Sequence, residues 1–171
     1  MTGIPTKRIS ARDRRLVAMH EAGHLTMNQA FGFRSYAHIQ PIFGSDWQTE
    51  KLWGGQVTCV TLSPRRCSAA RLAMIGIAGL VAETAWRERG SNDDLQYQCW
   101  QDILSEPDCM SVSDWKASGF DEPSEGDGKT WRRAIGACQR VAAMFDPRAG
   151  SHWRPLLHNA RTLLVNARAA G

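Results

Sequence analysis

Leu16, His20, Gly23, His24, Met27 and Phe31 recur at i, i+3, i+4 spacing, and inside that stripe lies the pentad His20-Glu21-Ala22-Gly23-His24. The pattern predicts one amphipathic helix over residues 12–31, with Gly32 as its stop. Residues four apart on a helix lie one above the other, so both imidazoles face the interior and can converge on one ion. Two buried imidazoles without partners are costly, and a metal removes that cost. Glu21 sits one position round from His20, close enough to reach a water on the ion without ligating it. The chemistry this spacing predicts is zinc-activated hydrolysis, with His20 and His24 as metal ligands and Glu21 as general base. With five histidines in 171 residues, a chance match to the pentad has a probability of about 0.006. Gly23 is a poor helix former, and a close approach by another element at the site would explain it.

The rest of the chain must supply a core and a third ligand. At 171 residues it is expected to form a single domain. The five cysteines form no C-x-x-C pair and are odd in number, which fits reduced thiols of a cytoplasmic protein better than a disulfide framework. The N-terminus is polar and arginine-rich, unlike a signal peptide, and the apolar run 72–81 is shorter than the roughly 20 residues a membrane span requires. No insertion into a membrane is therefore expected. Residues 83–127 carry 12 acidic side chains against 3 basic ones, while the whole chain is at +4. Such a split fits separate solvated acidic and basic faces, and with no nucleic-acid-binding signature no such partner is expected.

In chain order, residues 1–9 read as a loose arm, with Ser10 or Asp13 able to cap the first helix. Residues 36–43 and 56–62 read as strands, the second rich in β-branched side chains and preceded by Gly54-Gly55. A hairpin so close to the metal helix in sequence could hold an extended peptide along its edge. Ser63-Pro64 reads as a helix start, with the helix running to Arg89-Gly90 as the central buried one. Glu83 lies on its apolar side, and a buried carboxylate there is paired or metal-linked. A catalytic zinc usually has three protein ligands, and Asp94, Asp93 and Glu83 are the downstream candidates; simple N-capping is the alternative role of either aspartate. A helix is expected over 94–105. The acidic stretch 106–127 reads as an irregular insertion with a short helical piece at Ser113-Asp114-Trp115. Helices over 130–145 and 153–169 complete the chain. Gly128-Lys129-Thr130 is only a fragment of a phosphate-binding loop.

The order of these motifs resembles the peptidase domain of the FtsH-type AAA+ metalloproteases. The likeness lies in His20-Glu21-Ala22-Gly23-His24, then Gly54-Gly55-Gln56-Val57, Ala78-Gly79-Leu80-Val81-Ala82-Glu83 and Ser91-Asn92-Asp93-Asp94-Leu95. It covers residues 10–105 well and the C-terminal helices loosely. It implies a mainly α (α+β), zincin-like fold with a small sheet near the metal helix. It also implies a zinc metalloendopeptidase acting on protein or peptide substrates. By the same resemblance Asp94, followed by Leu95, is the third zinc ligand. Glu83 is then expected behind a ligand histidine, with direct ligation by Glu83 as the rival. No counterpart of the family's ATPase module and membrane anchor is expected, so unfolding of substrates would need a separate ATPase partner, and a homo-oligomer is a further expectation. The reading of a different class is an inactive, peptidase-like binding or regulatory protein whose metal is structural.

Overall fold

The computed structural model describes residues 6–42, 52–60, 67–89, 94–106, 109–120 and 128–169. Its architecture is mainly helical with one small antiparallel sheet. Helix α1 (Thr6–Ala30) leads to strands β1 (Ser35–Pro41) and β2 (Trp53–Cys59). Helix α2 (Ala69–Glu88) follows, then a single 3₁₀ turn (Leu95–Tyr97) and helices α3 (Trp100–Ser105), α4 (Val112–Ser118), α5 (Gly128–Phe145) and α6 (Trp153–Ala169). α1 starts six residues earlier than the expected helix over 12–31, so 6–9 are helical rather than an arm. Residues 1–5 lie outside the described part.

α2 is the centre of the molecule. Residues 73–82 are buried all the way round the helix, with Ile77, Ala78, Val81 and Ala82 fully inaccessible. A helix that is apolar on every face belongs inside other helices. α1, α4 and α5 supply that surround. By length and composition α2 could cross a membrane, but most of it is buried within the fold, which accounts for its apolar character. Its start differs from expectation. Ser68 is extended (φ −66°, ψ 149°) and its Oγ accepts from Arg71 N–H, so the helix begins at Ala69. The Ser63-Pro64 signal lies outside the described residues.

α1 and α2 run antiparallel, because Gly23 meets Ala78 and Ala82 while His20, a turn earlier, meets Gly79 and Glu83. A Cβ on Gly23 would collide with the Ala78 carbonyl. The glycine is there for close approach, as its poor helix propensity suggested. α6 covers the other side of α1: Leu156, Ala160 and Leu163 are buried, and Asn159 Nδ2 donates to Thr26 Oγ1 (2.9 Å) and Gln29 Oε1 (3.0 Å). α5 presents Ala134, Ala137, Cys138, Val141, Ala142 and Phe145 on one buried stripe. These side chains join a single hydrophobic core with those of α1, α2 and α6.

The two strands pair from Ser35↔Cys59 to Pro41↔Trp53. The second begins three residues before the expected start at Gln56, since Trp53, Gly54 and Gly55 take part in the ladder. Asp13 Oδ2 accepts from both Leu52 and Trp53 N–H, each at 2.7 Å, and so ties the start of β2 to α1. The expected helix over 94–105 is broken: after the 3₁₀ turn, Gln98 and Cys99 leave helical geometry before α3 begins. All five cysteines are free thiols.

Candidate metal centre

His20 and His24 stand one turn apart on α1 and both turn toward α2. There Gly79 has no side chain to keep them away: a Cβ at that position would lie 2.5 Å from His24 Nε2 and 2.6 Å from His20 Nε2. Each ring is held by its far nitrogen. His24 Nδ1 donates to the Ile75 carbonyl at 2.7 Å, and a carbonyl can only accept, so the neutral ring carries its lone pair on Nε2. His20 Nδ1 lies 2.7 Å from Glu83 Oε1, whose other oxygen is 3.7 Å from Arg87. A carboxylate behind a ligand histidine fixes its ring and raises its basicity. Both Nε2 atoms therefore point into the same space, 3.0 Å apart.

The carboxylate that joins them is Asp114, not Asp94. Asp114 Oδ2 is 3.2 Å from His20 Nε2, and Oδ1 is 3.3 Å from His24 Nε2. Asp94 is exposed and caps the 3₁₀ turn by accepting from Gln96 N–H at 2.9 Å. That is the capping role which stood as its alternative. Asp93 lies outside the described residues. Glu83 touches His20 on the side away from the cluster, so it stands behind the ligand rather than among the donors.

Asp114 reaches the histidines because α4 docks on α2. Ser118 packs so tightly on Gly76 that a Cβ there would strike its backbone. Trp115 is buried, and Gly119 ends the helix in the left-handed region (φ 72°). Ser111 caps α4 by accepting from Asp114 N–H, and its hydroxyl donates to Asp114 Oδ2 at 2.7 Å, which aims the carboxylate. The sequence held this in Ser111-Val112-Ser113-Asp114, an S-x-x-D capping box. The docking itself left no local trace.

The donor set fits a metal ion. Zn–N bonds of about 2.0–2.1 Å at tetrahedral angles put neighbouring donors about 3.3 Å apart, close to the 3.0, 3.2 and 3.3 Å separations here. His20, His24 and Asp114 form a group of potential ligands within 4.8 Å of one another. Without an ion, a proton is what remains to separate two lone pairs and a carboxylate. Burial opposes charge on His20, but Asp114 and Glu83 outweigh it and push its pKa up to about 10. Burial likewise disfavours the charged form of Asp114, yet the two imidazoles hold its carboxyl well below the usual carboxylate range.

Glu21 is 8 % exposed and makes no hydrogen bond among the described residues. Its side chain runs against Gly55 of β2, where a Cβ would overlap its Cγ. Burial pushes its carboxyl up, partly offset by His20 and His24. His20, Glu21, His24, Glu83 and Asp114 all border one groove of about 1610 Å³, whose other wall is β2 from Trp53 to Val57. Among the described residues β1 is the only strand paired with β2. No protein-family model matches the chain, and no curated protein matches it.

Proposed function

We propose that the protein is a zinc-dependent metallopeptidase that cleaves peptide bonds in the groove between α1 and β2. The observation that carries this reading is the convergence of two Nε2 lone pairs and a carboxylate beside a buried glutamate that makes no hydrogen bond among the described residues. His20, His24 and Asp114 would hold a zinc ion, which would supply an acidified water and a Lewis acid for the scissile carbonyl. Glu21 has its ordinary pKa raised by burial, so it can accept a proton from that water and pass it to the leaving amine. Glu83 keeps His20 in the tautomer that presents Nε2. Gly55 leaves the backbone of β2 bare where it meets Glu21, which suits an extended peptide added along the strand. The groove's volume also supports a chain-like substrate, since sites for small molecules usually span about 300–1,000 Å³.

The test is Glu21→Gln, which keeps shape and removes the base. Zinc should bind as it does to the parent, while cleavage of an unfolded, casein-like substrate should fall by about 100-fold or more. Equal cleavage by the variant would overturn the mechanism. A parent that binds zinc but cleaves nothing would favour a structural metal.

A further inference from the structure

Residues 128–171 hold eight basic side chains against one acidic, a balance of +7 in a chain that is +4 overall. Helices α5 and α6 turn these charges outward. On α5, Lys129, Arg132, Arg133 and Arg140 fall at i, i+3, i+4 and i+11, all exposed, opposite the buried stripe between Ala134 and Phe145. On α6, Arg154, His158 and Arg161 fall at i, i+4 and i+7, all exposed, opposite Leu156, Ala160 and Leu163. Neither helix contains an aspartate or a glutamate. The single acidic residue, Asp146, lies in the turn between them, where its Oδ1 accepts from Arg148 N–H at 2.8 Å. None of the six Lys and Arg side chains on the two stripes forms an ion pair among the described residues. Arg133 instead lies 5.0 Å from the Phe120 ring. Like charges at i, i+3 and i, i+4, as Lys129 stands to Arg132 and Arg133, weaken a helix. Gathering cations without counter-charge makes sense if a polyanion supplies it.

We propose that the outer faces of α5 and α6 dock the phosphate backbone of double-stranded nucleic acid without reading its sequence. The chemistry of the stripes selects this occupant. Five of the six cations are arginines, whose planar guanidinium can pair a phosphate through two hydrogen bonds. The α5 stripe spans eleven residues, about 16 Å along the helix, and a duplex presents about one charge per 1.7 Å of its axis, so phosphates are never sparser than the cations. No aromatic side chain is exposed on either helix, so the stacking platform that single strands use is missing. Val165 is the one exposed large apolar residue on the two helices, too little to enter a bilayer. No residue of α5 or α6 borders the groove, so face and groove can be occupied together. The proposal therefore stands whatever the groove does.

The experiment titrates the full chain onto a fluorescein-labelled DNA duplex of about 24 base pairs and follows anisotropy between about 50 and 200 mM salt. Log affinity should fall against log salt with a slope between about −3 and −5, at about −0.9 per neutralised phosphate. A second duplex of unrelated sequence should bind equally. Arg154→Gln with Arg161→Gln should weaken binding by about 10-fold or more at the lower salt and flatten the slope by about 2. Both positions are exposed, so the Tm should not change. Lys129→Gln with Arg132→Gln and Arg140→Gln asks the same of α5 and keeps the proposal falsifiable if the other set fails to fold. Arg12→Gln with Lys116→Gln removes as much charge as the α6 pair from exposed positions elsewhere and should leave binding unchanged. An equal loss in that control, or a slope that neither helix set alters, would overturn the proposal in favour of net charge alone. Polyglutamate of matched charge or phosphatidylserine vesicles bound as tightly as the duplex would overturn it in favour of an acidic protein or a lipid surface. No binding at about 50 mM salt would show the face to be merely solvated.

Discussion

The two sides of the metal cluster are built to different standards. The histidine side belongs to two long helices packed through Gly23 and Gly79, and each ring is fixed by a hydrogen bond of 2.7 Å. The carboxylate side is one aspartate on α4, a helix of seven residues. So short a helix is marginal by itself, and α4 relies on its Ser111 cap, the buried Trp115 and the seat at Gly76. The contrast teaches that an ion bound here and the fold would support each other unequally. The histidine pair is preformed by the core, whereas Asp114 is brought in by a small docked element that the ion would help to hold.

The largest effect should come from taking a donor from either side. Gly79→Ala, whose methyl would occupy the space of both Nε2 atoms, and Asp114→Ala should each lower zinc affinity by about 100-fold or more, taking an equal share of the usual zinc-binding free energy per ligand. Asp94→Ala should leave metal content unchanged and remove only a cap. Titration calorimetry with zinc checks all three, and a large loss in Asp94→Ala would reverse the assignment. Glu83→Gln, which keeps a hydrogen bond to His20 but loses the charge, should weaken zinc by about 10- to 100-fold.

Gly76→Ala probes the docked side by itself. Overpacking against Ser118 should cost about 1–3 kcal/mol, seen as a lower Tm, with zinc restoring part of the loss. If zinc restored nothing, Asp114 would not be coupled to the ion.

The smallest effect is a proton count. His20 has its pKa raised to about 10 in the metal-free protein, so binding near pH 7–8 should release about one proton, measurable as a dependence of the calorimetric heat on the buffer. The sign follows from linkage. The raised pKa of His20 stabilises the metal-free fold fully below its unfolded value near 6.5, and that contribution is lost as pH rises toward 10. The depressed Asp114 works oppositely: its contribution is present above an unfolded value near 3.8 and vanishes as acid protonates it. Metal-free protein should thus be most stable between about pH 4 and 6.5 as far as this pair decides.

How much of this could be read from the chain depends on how local each cause is. His20, His24 and Glu83 were visible because a 3.6-residue repeat places them on buried stripes of long helices. The buried α2 was visible for another reason, an apolar run that leaves no polar face. Gly23 announced a close approach, and α2 is what approaches. Asp114 was passed over because its segment lacks periodicity and its docking is decided by Gly76, 38 positions earlier in the chain. Asp94 attracted attention through a neighbouring leucine, yet Leu95 is buried as the first residue of a 3₁₀ turn that Asp94 caps. The strand β2 was placed late because glycine carries no β signal, although Gly54 and Gly55 are paired in the ladder.

The clasp of Asp13 on Leu52 and Trp53 bears on evolvability. Asp13 and Glu21 are eight residues apart on one rod, about 12 Å along its axis, so the anchor of the strand and the proposed proton acceptor are gauged by the same ruler. If the peptidase reading holds, the clasp would keep the register of a bound chain against the proposed centre whatever the number of residues between β1 and β2. Under that reading, variation there would alter clientele while leaving the chemistry untouched.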